Sequence, residues 1–423
     1  MQHTTLYSAF DVHPSSKGAS THITHFSKAL FDFGGGGWLN VMADENLPLE
    51  EIKQEKQRKN NTKNATNTIE ITRFLGDIPN YLLRAQAFTD ALLEKLFLQN
   101  NLQICHFRDI WSGLAILSNP RKNYKTIFEV NGLPSIELPY RYPNLSKKTL
   151  EKIIILEDFC LNNCDKIIVP SLEISKKIIS RNIPKEKITV IPNGADLQKL
   201  RPRPQDAPER YIIYFGALQS WQGIDTLFTA FALIASIFED LKLVICSANK
   251  PRQVKNYHKL AEKLNLSDRI IWKYQLPKRV LAGWVANALF SVAPLKECSR
   301  NLEQGCSPLK ILESMALATP VIASDIPAVK EIISNEQIGA LVRADRPAVL
   351  ARMMQKWLEN DTQTKEIGKN ARAFIRKNFS WKVQIGILTK VYEDLMQDLT
   401  EDLTNQKQTN LSTNLSTDLS ATS

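Results

Sequence analysis

The chain has 423 residues, 43% of them hydrophobic and 23% charged, and carries 54 Lys and Arg against 44 Asp and Glu for a net +10. This is an ordinary globular composition, and the length predicts two domains of about 200 residues. No apolar run approaches the ~18–20 residues that span a bilayer, and no basic leader with an apolar core opens the chain. The six cysteines form no C-x-x-C pair. A cytoplasmic protein with reduced thiols is expected.

The positive charge calls for an anionic partner. Basic residues gather at 53–63, 147–152 and 176–187. They lack interleaved aromatic residues and belong to no nucleic-acid module, which argues against nucleic acid. A phosphorylated ligand or the attraction of an anionic membrane surface fits better.

In chain order, apolar β-branched runs alternate with helical patterns. Strands are predicted at 4–10, 39–43, 104–107, 126–130, 166–170 and 188–191. A second set follows at 211–215, 241–246, 269–273, 289–293, 321–323 and 340–342. Helices are predicted at 21–31, 81–99, 150–162, 223–237 and 278–288. This alternation predicts an α/β fold of two doubly wound, Rossmann-like domains with parallel sheets. Turn and proline chemistry between 193 and 210 marks the break between them. Residues 45–67 read as a long charged loop. An amphipathic helix is expected over 381–399, and a polar, repetitive, disordered tail over 400–423.

Two segments carry phosphate-site chemistry. The first strand leads into the loop Asp11 to Ser20, where Gly18 and Ala19 allow backbone to approach a ligand before a helix begins. The Gly34 to Gly37 run follows a helix and precedes a strand, so it reads as a helix cap and turn. The second segment is Gly305-Cys306-Ser307-Pro308-Leu309-Lys310-Ile311-Leu312-Glu313. Ser307 is expected to cap a helix whose first residue is Pro308. Lys310 then lies in the first turn, at the positive end of the dipole, where it is unfavourable unless an anion joins it. Free N–H groups and a lysine make a phosphate site, and Glu313, leaning back from the next turn, suits ribose hydroxyls. The plain alternative is a Lys310–Glu313 surface pair. His22 and His25 lie one turn apart without a third ligand and read as ordinary helix residues.

From these residues onward the chain resembles glycosyltransferase family 4, over about residues 4–396. Lys17 to His22 resembles the N-terminal glycine loop. Val190 to Asp196 is similar to the interdomain signature, Tyr214 to Leu227 to the first βα unit of the donor domain, and Ser307 to Asp325 to the paired-glutamate segment. The resemblance implies the GT-B architecture. An acceptor-side domain would span 1–195, a linker 196–208, a nucleotide-sugar domain 209–378, and a helix crossing back 379–399. It also implies retaining transfer of a sugar from a nucleotide diphosphate sugar to a glycan or lipid-linked acceptor, with no cofactor and no metal, at the inner face of the membrane.

The resemblance further implies site roles. Gly18, Ala19, Gln222, Ser307, Pro308, Leu309, Lys310 and Glu313 would bind the donor, with Lys310 also catalytic. Glu129 stands where the family has a histidine; it would shield the developing cation or orient the acceptor, or else pair with Arg108. His106, Arg108 and Asn131 are candidates for acceptor or phosphate, with Arg108 alternatively paired to Asp109 or Glu129. This chain departs from the pattern at Gly305, in place of the first glutamate, and at Ala217 and Gln222, in place of an arginine and a lysine. A Ser-Pro-Leu-Lys segment resembles one branch of the family, in which Lys310 would replace the missing clamp. A nucleotide-sugar epimerase, with Glu297 and Glu303 near the sugar, or a weakly active nucleotide-sugar-binding subunit are the competing readings.

Overall fold

The computed structural model describes residues 4–15, 18–43, 68–197, 202–304 and 307–420. Lys17, Gly305, Cys306 and the whole of the expected 45–67 loop lie outside them. Thirteen strands are described: β1 Thr5–Val12, β2 Gly36–Met42, β3 Thr68–Phe74, β4 Ile104–Phe107, β5 Lys125–Glu129, β6 Lys166–Val169 and β7 Ile188–Val190 in the first half. The second half holds β8 Tyr211–Gly216, β9 Lys242–Ser247, β10 Ile270–Tyr274, β11 Ser291–Ala293, β12 Val321–Ser324 and β13 Ala340–Val342. They form two sheets, ordered β3-β2-β1-β4-β5-β6-β7 and β10-β9-β8-β11-β12-β13. Pairing is parallel throughout. Each order reverses beside the first strand of its sheet, which opens a crevice at the carboxyl ends there.

Alternation builds both cores. Leu6 joins Trp38, Cys105 and Phe128 on one face of the first sheet. Its neighbour Tyr7 joins Leu39, Val41 and Ile127 on the other. A period of two forces this division, and each large aliphatic or aromatic side chain buried contributes about 1.5–3 kcal/mol. Cys105, Cys160, Cys164 and Cys246 are buried free thiols.

Strand β3 is absent from the twelve predicted strands. Its apolar residues Ile69 and Ile71 alternate with Glu70 and Thr72 on an edge strand. That weak pattern adjoins the charged 45–67 stretch. The glycine run behaves as expected: the Gly18–Gly34 helix ends there, Gly35 takes φ +68, and β2 begins at Gly36.

The chain crosses between domains twice. Ala195 bridges Ser380, and the Ala195 N–H donates to the Phe379 carbonyl at 2.8 Å. Gly194 lies against Trp381, with a β-carbon there falling 2.5 Å from the indole. The last helix, Trp381–Ser420, lays Trp381, Leu388, Val391, Tyr392 and Leu395 into the core of the first domain. It continues well past Leu399, through most of the segment expected to be disordered. The reason is in the spacing: 381–420 holds one glycine and no proline, and leucines recur at i, i+4 (395, 399, 403, then 411, 415, 419).

Candidate functional site

Loops from the carboxyl ends of the two sheets meet across the interdomain cleft. After β10, Lys278 reaches over and donates to Thr21 Oγ at 2.6 Å. After β11, the Ser299–Glu303 helix docks on the Pro134–Arg141 helix that follows β5. Ser299 lies 2.6 Å from the Tyr140 hydroxyl, and Arg300 pairs with Glu137 at 3.0 Å. Gln304 accepts from the Leu133 N–H at 3.0 Å and donates to Glu137 at 2.9 Å.

The Leu309–Ala316 helix opens on this cleft, but not with the expected cap. Pro308 occupies the cap position, and no side chain caps the helix. Ser307 instead accepts from the Asn193 N–H at 3.0 Å, and its carbonyl accepts from Asn193 Nδ2 at 2.6 Å. Its hydroxyl therefore fastens the helix start to the interdomain crossing. Leu309 packs on the first domain, its Cδ1 2.7 Å from where a Gly18 β-carbon would stand. Gly18 thus faces the helix start as the sequence implied, with the Leu309 side chain filling the space between; Ala19 follows it, half-buried.

Lys310 turns toward the end of β8. Its ammonium donates to the Tyr214 hydroxyl at 2.8 Å and to Gln222 Oε1, and lies 4.2 Å from the Tyr214 ring centroid. The Tyr214 hydroxyl in turn donates to the Ala217 carbonyl at 2.7 Å. The ammonium is 3.7 Å from the β-carbon position of Gly216, whose φ of +118 belongs to the tight turn leaving β8. Gly223 closes this loop at φ +69; a β-carbon there would fall 1.8 Å from the Pro294 carbonyl oxygen, so only glycine fits. Lys310 and Gln222, 88 residues apart, meet tip to tip.

One turn beyond Lys310, Glu313 lines a cavity of about 70 Å³ with Thr21, Asp196, Phe215, Lys278 and Trp381. Burial pushes its carboxyl up to about 7; Asp196 adds to the rise, while Lys278 and Lys310 oppose it. Lys310 and Glu313 do not form the surface pair weighed from spacing. Lys278 was missed from sequence. Its one signal is position, at the start of a helix just after the carboxyl end of β10.

Glu129 requires a correction. It is 3% exposed and fully engaged: it accepts from the Tyr7 hydroxyl at 2.7 Å, from Arg108 Nε at 2.9 Å and from Asn131 Nδ2. His22 Nδ1 and His106 Nε2 each approach to 3.1 Å. Burial alone would raise this carboxyl, but His22, His106 and Arg108 together hold it well below the usual carboxylate range. Of the two roles open to Glu129, the structure shows the pairing with Arg108, within three hydrogen bonds and two imidazoles at 3.1 Å. His106 is likewise withdrawn: it is 0% exposed, with Nδ1 3.0 Å from the hydroxyl of Tyr392 on the last helix. Asn131 is held by Glu129, and Arg108 pairs with Glu129 and Asp11. Asp109 is not an Arg108 partner; it caps the Ile110–Leu117 helix and accepts from the Phe10 N–H. Nor are the two helix histidines idle. His22 serves Glu129 and stacks on Phe26, while His25 stacks on Trp381 at 4.1 Å and approaches Asp196 at 3.6 Å.

Comparison with known proteins bears on the fold and the family. The profile of "Glycosyltransferase Family 4" matches residues 17–199, and that of "Glycosyl transferases group 1" matches 198–374. An uncharacterized glycosyltransferase of Methanocaldococcus jannaschii is 24% identical over 350 residues, 77% of this chain and 92% of that protein. A D-inositol 3-phosphate glycosyltransferase of Xylanimonas cellulosilytica is 26% identical over 49% of this chain and 51% of its own length. Among solved structures, the sucrose-phosphate synthase of Thermosynechococcus elongatus superposes with a TM-score of 0.74 at 20% identity, over 93% of this chain and 100% of the other. Anabaena HepE, in complex with UDP and glucose, gives 0.71 at 15% identity, over 93% and 100%. The fold is GT-B, and the matches support a glycosyltransferase of the family-4 type.

Two stability predictions follow from the charges. Replacing Glu129 by Gln leaves the buried Arg108 with the half-exposed Asp11 as its one anionic partner among the described residues and should cost about 3–5 kcal/mol in urea denaturation; a loss under 1 kcal/mol would show that the network carries no stability. Glu313 acts in the opposite sense to an ordinary ion-paired acid. Its folded carboxyl, near 7, keeps a proton that the unfolded chain releases near 4.5. Stability therefore falls as pH rises between those values. Glu313→Gln should flatten that slope in denaturation curves taken from pH 4.5 to 7, and an unaltered slope would contradict the assignment.

Proposed function

We propose that the chain transfers a sugar from a nucleotide diphosphate sugar to a glycan or lipid-linked acceptor, with retention of configuration and without a metal ion. The observation that carries this reading is the Lys310 ammonium, held by Tyr214 and Gln222 over the end of β8 at the mouth of a helix. A lysine in the first turn opposes the helix dipole, and a diphosphate would reverse that cost by meeting both the ammonium and the positive end of the dipole. Glu313, one turn away in its small cavity, would take the ribose hydroxyls.

Departure of the diphosphate develops negative charge, and a fixed cation there stabilises the transition state more than the ground state. In a same-face displacement the departing phosphate oxygen accepts the proton of the incoming hydroxyl, so the enzyme needs no nucleophile. The cross-cleft contacts around Gln304 and Lys278 would exclude water while the donor is bound. Glu129 has no part in the chemistry and holds the cleft floor through Arg108.

The epimerase reading finds no support in the carboxylates it would use. Glu303 pairs with Lys177 at 2.9 Å, and Glu297 lines an outer cavity with Asp225 and Asp345. No helix among the described residues is long and apolar enough to cross a membrane. The net +10 would draw the protein to an anionic membrane face, where lipid-linked acceptors are presented.

The donor is first identified by a thermal-shift screen across nucleoside diphosphate sugars, since a ligand of the native state raises Tm. Lys310→Ala should then lower transfer by the loss of one charged hydrogen-bond partner, on the order of 1.5–3 kcal/mol or about 10- to 150-fold. Because Lys310 and Gln222 meet tip to tip, the exchange Gln222→Lys with Lys310→Gln returns an ammonium to nearly the same place. It should recover most of the lost rate. Unchanged transfer in Lys310→Ala would remove this lysine from the mechanism, and an exchange variant no better than Lys310→Ala would show that the charge works only from the helix.

A further inference from the structure

An aromatic platform lies on the first domain, apart from the Lys310 and Glu313 site. Tyr81 is at its centre, with ring centroids 5.7 Å from Phe10, 6.1 Å from Trp111 and 5.7 Å from Tyr142. Trp111 Nε1 donates to the Tyr81 hydroxyl at 3.2 Å. Phe10 is in β1, Trp111 follows β4, and Tyr142 ends the helix that follows β5. The platform therefore belongs to the carboxyl-end surface of the sheet, where parallel α/β folds bind ligands.

Arg141 lies over this platform, its guanidinium carbon 5.6 Å from the Tyr81 centroid and 5.5 Å from that of Tyr142. It is exposed and makes no ion pair among the described residues. The nearby acid of its own helix, Glu137, is taken up by Arg300 and Gln304 from across the cleft. Tyr140, the preceding residue, lies 2.6 Å from Ser299 of the opposite domain, so Arg141 is at the cleft lip. Asp11 and Asp109 lie close enough to act electrostatically on the Tyr81 hydroxyl, which puts the platform beside the floor that Arg108 holds.

We propose that Tyr81, Tyr142 and Arg141 form an acceptor subsite for a saccharide bearing an anionic group, a phosphate ester or a carboxylate. A sugar ring presents C–H faces that pack on aromatic rings. The guanidinium fork takes phosphate or carboxylate through two parallel hydrogen bonds. Stacking on two rings fixes the fork before the ligand arrives, which lowers the ordering cost of binding. The subsite rests on the reading of the chain as a transferase whose first domain takes the acceptor, and it adds the acceptor's charge to that reading.

The test is calorimetric titration of the full-length protein with glucose, glucose 6-phosphate, glucuronate and inorganic phosphate. At least one charged sugar should bind about tenfold more tightly than both glucose and inorganic phosphate, the scale of one charge-assisted contact. The stronger of the two charged sugars identifies the anion. Arg141→Ala should remove that preference, and Tyr142→Ala should weaken charged and neutral sugars alike. Arg141→Ala should keep the parent Tm, Tyr142→Ala should lower it through the loss of a half-buried ring, and both should keep the thermal shift with nucleotide sugar. Charged sugars binding no better than glucose, or a preference that survives Arg141→Ala, would overturn the subsite. If no nucleotide sugar shifts the parent Tm while Arg141-dependent binding persists, the transferase reading fails and the subsite stands.

Discussion

The buried Glu129 carboxylate is the interaction on which the first domain depends. It gathers Tyr7 from β1, His106 from β4, Arg108 just beyond β4, Asn131 just beyond its own strand, and His22 from the first helix. Through His106 it also reaches Tyr392, so the last helix is tied to the centre of a sheet some 286 residues earlier. An ion this deeply enclosed is tolerable only when it is hydrogen-bonded and paired, and here three hydrogen bonds meet it and two imidazoles lie at 3.1 Å. The consequence is geometric. With the sheet's carboxyl end fixed, Arg108 can hold Asp11 at the cleft floor, and the loops on either side keep their relation to the opposite domain.

Apart from the buried Gln304, which binds Leu133 and Glu137, the contacts that close the cleft are of a different kind. Lys177–Glu303 and Arg300–Glu137 are half-exposed ion pairs, and Tyr140–Ser299 is a surface hydrogen bond. Each is worth about 0–1 kcal/mol at most. Such a set holds a closed arrangement without making it permanent, which suits an enzyme that must admit two substrates and release two products. The permanent connection is elsewhere, in the paired crossings at Ala195 and Ser380 and in Trp381 buried against Gly194. A firm hinge with weak lips lets the domains part along one line.

The architecture was readable from sequence because it rests on short-range pattern. Twelve of thirteen strands announce themselves as short apolar runs, and the exception, β3, is an edge strand whose Ile69, Ile71 and Phe74 are interrupted by Glu70, Thr72 and Arg73. That Lys310 and Glu313 share one helix was readable too, since they are three residues apart in an unbroken helical pattern. What the sequence withheld are the partners joined by tertiary folding. Ser307 has every local feature of a cap, yet Asn193, 114 residues away, takes its hydroxyl. Glu129 reads as an available carboxylate because Tyr7 and His106 announce nothing about where they point. Lys278 and Arg141 are single basic residues among 54, distinguished only by what lies across from them.

The same reasoning bears on the two substituted clamp positions. Viewed along the chain, Ala217 and Gln222 look like losses of charge from the site proposed to hold a diphosphate. Viewed in space, the Gln222 carbonyl is occupied by the Lys310 ammonium, and the Tyr214 hydroxyl relays that contact to the backbone of Ala217 itself. Electrostatic stabilisation depends on where a charge stands relative to the reacting atoms, and is indifferent to which stretch of chain delivers it. A lysine on the helix also gains something that one on the loop lacks. Its ammonium stands beside the positive end of that helix's own dipole, so a bound anion would meet both together, in the water-poor space between the two domains.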